Sequence, residues 1–139
     1  MFFQKYPVKS NTTKQVGLIL SGNLPAVGMH DLLMCLAAGH HVILKLSSQD
    51  KAMMQLYVDA INSLDSSFSI DIVERLPKVD AVIATGSDFS SAYFANYFAK
   101  VPHIIRKNRS SVAILTGNES TADFEVLARD IFTYYGLGC

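Results

Sequence analysis

The chain has 139 residues, 50% of them hydrophobic and 17% charged, with twelve basic residues balanced by twelve acidic ones. That is one domain's worth of chain with enough apolar side chains to bury a core, which excludes a disordered tail or a low-complexity linker. A formal net charge of zero supplies no field to recruit nucleic acid or an anionic membrane. Cys35 and Cys139, the two cysteines, cannot frame a set of disulfides, and no metal-ligand spacing surrounds them. The start, Met1-Phe2-Phe3-Gln4-Lys5, turns polar too soon for a secretory signal. No apolar run approaches the ~20 residues a bilayer crossing needs. The expectation is a globular domain of a reducing compartment, cytoplasmic, with no metal and no membrane span.

Val16-Gly17-Leu18-Ile19-Leu20 is a short apolar run closed by Ser21-Gly22-Asn23 and Pro25, a buried strand meeting a tight loop. Residues 29–38 are apolar almost all round and predict a buried helix, with Gly39 as the residue just past its end. A second strand follows at 41–46, then capping residues at 47–50 and a helix over 50–64. Its apolar face is assigned to Met53, Met54, Leu56, Tyr57, Ile61 and Leu64. Strands are predicted at 68–73 and 81–84, a turn at 85–88, and an aromatic-rich helix over 89–99. Further strands are expected at 102–105 and 112–115, and a last helix over 120–135, broken by Gly136 and Gly138. Strands alternating with helices argue for right-handed crossovers in one doubly wound α/β domain over residues 1–139. Its mostly parallel sheet is covered by helices on both faces, and residues 1–15 are a lead-in.

In such sheets ligands sit beyond the carboxyl ends of the strands. The segments to weigh are therefore 21–25, 45–48, 85–88 and 106–109, with the terminal Gly136-Leu137-Gly138-Cys139. Thr85-Gly86-Ser87-Asp88 leads from a strand into a helix and has two readings. It is an anion site built from unpaired amides and the helix dipole, or an ordinary cap supplied by Ser87 or Asp88. Lys45, followed by Ser47 and Ser48, suits a ribose or its phosphate, or a solvated strand end. Asn23 is a turn residue or a functional amide. The four histidines show no ligand spacing, and Cys35 reads as core. Arg106-Lys107-Asn108-Arg109 is a basic loop, solvated by default and a candidate phosphate contact. The G-x-G-x-x-G dinucleotide fingerprint is absent.

Taken in order, five segments resemble the aldehyde dehydrogenase superfamily. They are Gly22-Asn23-Leu24-Pro25, the run from Leu36 through Lys45 to Ser48, Ala84-Thr85-Gly86-Ser87, the stretch Pro102 to Ala113, and Phe132 through Gly136-Leu137-Gly138-Cys139. The Pro102–Ala113 wording is similar to the acyl-CoA reductase branch, which includes the fatty-acyl reductase of bacterial luminescence. The resemblance spans roughly residues 16–139. It implies a Rossmann-like cofactor domain in which Cys139 is the nucleophile that takes the acyl group as a thioester. It implies that the Asn23 amide stabilises the oxyanion. Lys45 and Ser47 lie on the adenosine side, and Gly86 and Ser87 on the pyrophosphate side. Ser48 falls where NAD-preferring relatives often carry a glutamate, so the resemblance favours NADP(H).

Two departures refine what is implied. Where hydrolytic relatives carry a Glu-Leu-Gly-Gly segment, this chain has Arg106-Lys107-Asn108-Arg109, with no carboxylate to activate water. Reduction of an acyl thioester to an aldehyde needs no such base. The nucleophile is also the last residue given, and the family's upstream portion is mostly missing before Met1. The chain is therefore expected to be a cofactor-domain fragment with little or no catalysis of its own. The implied parent reaction is NADPH-dependent reduction of an acyl-CoA to an aldehyde. The alternatives are a coenzyme-A-acylating aldehyde dehydrogenase and a non-catalytic nucleotide-binding or interaction module. The implied partners are an acyl-CoA substrate, a second copy of the chain, and an acyl-protein synthetase or acyltransferase.

Overall fold

A computed structural model describes residues 12–107 and 109–136. The chain divides into two compact units, Met1–Lys107 and Asn108–Cys139. The first unit carries β1 (Gln15–Ile19), α1 (Met29–Ala37), β2 (His41–Lys45), α2 (Lys51–Leu64), β3 (Ile70–Ile72), β4 (Ala81–Thr85), α3 (Asp88–Tyr97) and β5 (His103–Arg106). The second carries α4 (Thr121–Phe132) and a single tight helical turn, Thr133–Gly136.

All five strands are parallel, in the order β3-β2-β1-β4-β5. The chain steps outward from β1 to β3, then returns to lay β4 along the free side of β1. That reversal makes β1 and β4 neighbours, with Leu18 facing Leu44 on one side and Ile83 on the other. The expected doubly wound α/β architecture is therefore present.

The pleat sends alternate side chains to opposite faces, and each face has its own core. Val16, Leu18 and Leu20 of the first strand region join Val42 and Leu44 of β2 beneath α1 and α2. α2 meets that core through Met54, Val58 and Ile61, the i, i+4, i+7 stripe of an amphipathic helix. The broader apolar face expected for this helix is corrected: Met53, Leu56, Tyr57 and Leu64 are exposed, because Val58 defines a stripe that turns them away. On the opposite face Ile43, Val82 and Ala84 pack with Phe98, and Phe94 of α3 lies against them. The expected helix over 89–99 thus begins one residue earlier and is regular through Tyr97.

Gly39 ends α1 as expected, at φ +80°. Its amide donates to the Leu36 carbonyl and that of His40 to the Cys35 carbonyl, the paired closure that a left-handed residue permits.

Residues 112–115, expected to be a strand, form none. Val112 and Ile114 are 88% and 85% exposed, and an apolar run becomes a strand only with a ladder partner. α4 begins with a reciprocal cap in which the Ser120 hydroxyl accepts from the Asp123 amide and the Asp123 carboxylate accepts from the Ser120 amide. It stops at Phe132, three residues earlier than the pattern predicts, since Tyr134 and Tyr135 take left-handed backbone angles.

Candidate functional site: the cleft at the sheet reversal

The carboxyl ends of β1, β2, β3 and β4 open into a cleft of about 410 Å³. Ligand sites commonly measure roughly 300–1,000 Å³, and in open α/β sheets they lie where the strand order reverses. Here that point is the boundary between β1 and β4.

β2 supplies the first wall. Lys45 is its last residue, paired with Ile19 of β1, and its carbonyl accepts from the Leu20 amide at 3.2 Å. This fixes the backbone while the half-buried side chain lines the cleft. The chain then turns through Ser47, whose hydroxyl accepts from the Gln49 amide at 3.3 Å. Gly22, in the loop after β1, approaches so closely that a Cβ there would stand 2.8 Å from the Ser47 Cβ. The two strand-end loops can touch only because position 22 lacks a side chain. Ser48 lines the same cleft and is exposed.

β4 supplies the second wall, and here the sequence leaves two readings. Ser87 is the cap of α3, its hydroxyl accepting from the Ser90 amide at 3.3 Å. The Gly86 amide continues the sheet ladder, donating to the Arg106 carbonyl at 3.1 Å. Of the amides at 85–88 weighed as an anion site, that of Gly86 is therefore already paired: β5 accepts from it. The open donors of this helix end are the first-turn amides of Asp88 and Phe89, which find no acceptor among the described residues. Gly86 still lines the cleft, beside Ser90 and Phe94. The Ser91 hydroxyl, buried behind it, reaches the carbonyls of both Gly86 and Arg106 and ties the turn to β5.

Lys45, Ser47, Ser48 and Gly86 thus share one cleft, with Ser87 capping the helix that forms its far side. Asn23 is exposed and stands outside the cleft walls. Its side-chain oxygen accepts from the Ser21 hydroxyl at 3.0 Å. The loop that carries it is clamped three residues on, where the Ala26 amide donates to the buried Asp50 carboxylate at 3.1 Å. Ala26 is held at φ +57°, a conformation unfavourable for a residue with a Cβ. Asp50 therefore fixes this loop instead of capping α2, whose amides receive no bond from it. Cys139, the expected nucleophile, lies outside the described residues.

The basic segment at 106–109 does not act as a unit. Arg106 places one guanidinium nitrogen 2.7 Å from each oxygen of Asp31, a buried residue in the first turn of α1. The reading of Arg106 as a phosphate contact is corrected: its charge is already neutralised within the fold. Asp31 also supplies the negative charge that the N-terminus of α1 favours. Burial, and then the charge of Asp31, push the Cys35 thiol up to about 11. Cys35 is a protonated core residue at neutral pH.

No protein-family model matches the sequence, and no curated protein matches it. A solved structure does match: the NAD+ complex of an aldehyde dehydrogenase from Bacillus cereus, with a TM-score of 0.73 and 18% identity. The fold is Rossmann-like, of the aldehyde dehydrogenase type. The match covers 96% of this chain and 29% of that one, so this chain spans less than a third of that enzyme's length. At this level of identity the likeness establishes architecture, and the chemistry must be argued from the residues.

Lys51, Glu74, Ser90 and Phe94 line the cleft and are absent from the sequence-derived candidates. Lys51 and Glu74 join in an ion pair at 3.0 Å across 23 residues of chain. Nothing in local spacing reveals that pair, but each lies just beyond a strand end, Glu74 two residues past β3 and Lys51 six past β2. Among the described residues no helix is long and apolar enough to cross a membrane. No group of three His, Cys, Asp or Glu side chains there could hold a metal ion.

Proposed function

We propose that this chain is the nicotinamide-dinucleotide-binding part of an aldehyde-dehydrogenase-type oxidoreductase, and that the reaction it serves is NADPH-dependent reduction of an acyl-CoA to an aldehyde. The observation that carries this reading is the cleft at the sheet reversal, lined together by Lys45, Ser47, Ser48 and Gly86. The resemblance of the five sequence segments and the aldehyde dehydrogenase architecture support it from two independent directions.

The donor set suits an adenosine phosphate. Lys45 offers an ammonium for the ribose hydroxyls or their phosphate, and Ser47 and Ser48 offer hydroxyls beside it. The first-turn amides of α3 face the direction in which an anion is favoured by the helix dipole. Ser48, in place of a carboxylate, leaves its side of the ribose open to a phosphorylated cofactor. When bound, the nicotinamide supplies the hydride. The protein's share is to present the acyl group, which the Cys139 thiol would hold as a thioester after displacing coenzyme A as its thiol. The Asn23 amide, on its clamped loop, would donate to the oxyanion as the tetrahedral centre forms. A reductase of this kind has no deacylating water to activate, in keeping with the lack of a carboxylate at 106–109.

Calorimetric titration of the chain with NADPH and with NADH, beside a Lys45→Ala variant, tests the reading. Saturable binding of NADPH is expected, tighter than NADH and weakened about tenfold by the substitution, the effect of one charge-assisted contact. Absence of binding by either nucleotide would overturn it.

A further inference from the structure

The cleft contains two charged groups that the proposed cofactor contacts do not use. Lys51, the first residue of α2, donates through Nζ to Glu74 Oε1 at 3.0 Å, and both line the same wall as Lys45, Ser47 and Ser48. The helix gives no reason for Lys51, because a cation in the first turn opposes the macrodipole. Nor does stability, since the side chains are 57% and 90% exposed, and pairs in such positions contribute little. The hydrogen bond and charge of Lys51, reinforced by the charge of Lys45, hold the Glu74 carboxyl below its usual range. Two ammonium groups and one carboxylate thus face each other at the β2 end of the cleft. In a doubly wound sheet, that is the end where the adenosine ribose is read.

We propose that Lys51 reads the 2′-phosphate of the adenosine ribose, and that Glu74 is its resting counter-ion and the group that limits preference for the phosphorylated cofactor. The inference rests on the dinucleotide reading of this cleft. A 2′-phosphate takes Lys51 from Glu74 and also meets Lys45, while the released carboxylate, already in solvent, turns away without being buried. A ribose lacking the phosphate leaves the pair intact, and its 2′-hydroxyl can donate to Glu74 instead. Lys51 therefore favours the phosphorylated nucleotide and Glu74 the unphosphorylated one. The balance between them, and not Ser48 alone, sets the preference.

The test measures dissociation constants of the full chain for NADPH and NADH, before and after Lys51→Met and Glu74→Gln. Thermal unfolding of each variant accompanies the titrations; both side chains are exposed, so folding is expected to be unchanged. Lys51→Met is expected to weaken NADPH about tenfold while changing NADH less than about twofold. Glu74→Gln is expected to move the ratio the other way, tightening NADPH and weakening NADH. Adding salt should weaken NADPH more than NADH in the unsubstituted chain and narrow that difference in Lys51→Met, where Lys45 alone still meets the phosphate. Equal shifts for both nucleotides, or no shift in either variant, would overturn this proposal alone. Binding of neither nucleotide by the unsubstituted chain would overturn the dinucleotide reading and this proposal with it.

Discussion

Residues 12–107 and residues 109–136 hold their elements in contrasting ways. In the first unit, Leu18, Val42 and Leu44 have no exposed surface, and β1, β2 and β4 each give alternate residues to two separate cores. In the second, α4 buries none of its residues, and Phe132 is 72% exposed. Short-range chemistry defines that helix instead: the reciprocal Ser120–Asp123 cap, preceded by the Glu119 carboxylate accepting from the Thr116 and Gly117 amides. A helix can be specified by its own few residues, because its hydrogen bonds close within the segment. A strand cannot, because its bonds belong to a neighbour. Hence the apolar run at 112–115 forms no strand, while Ser120 still starts a helix where the sequence says one should begin.

The contrast is broken most forcefully at its centre. Leu18→Ala should lower the unfolding free energy by about 3 kcal/mol, the cost of a cavity in a packed core. Phe132→Ala should change it by less than about 0.5 kcal/mol, as expected of an exposed side chain. Urea titration of the two variants checks both values, and equal losses would remove the distinction between the units.

A pH series sharpens it further. The thiol of Cys35 ionises at about 11 in the folded chain against an ordinary 9.0, so the folded state favours the protonated form. Its contribution is fully present below pH 9 and is lost as the pH rises toward 11, amounting to about 2 kcal/mol over that window. Denaturation measured from pH 8 to 11 should show this fall, and Cys35→Ala should lack it. A more local effect belongs to the second unit. Ser120→Ala should cost α4 about 1 kcal/mol, visible as faster amide exchange in its first turn, with no change in the urea midpoint of residues 12–107.

Much of the sheet was legible in the sequence, and for a physical reason. Buried parallel strands read as unbroken apolar runs, so Val16 to Leu20 and Val42 to Leu44 declare themselves, and Gly39 marks the end of α1. The strand-end positions of Lys45, Ser47, Ser48 and Gly86 follow from that alternation, which is why the structure finds them around one cleft. What stays hidden is pairing over distance. Asp31 meets Arg106 across 75 residues, and Lys51 meets Glu74 across 23. Both pairs join segments at or beyond the carboxyl ends of strands that only the sheet order brings together. The apolar face of α2 was misjudged for a related reason. Met53 and Leu56 are as hydrophobic as Met54 and Val58, and only the direction of the core separates them.

Amide hydrogen exchange of the full chain, with and without saturating NADPH, tests the central claim most directly, because it locates the ligand as well as detecting it. Exchange should slow at Leu46–Lys51 and at Ser87–Ser90, the two strand-end segments of the cleft, and remain unchanged in α4. Slowing confined to other segments, or none at either strand end, would contradict the assignment of this cleft to a nicotinamide dinucleotide.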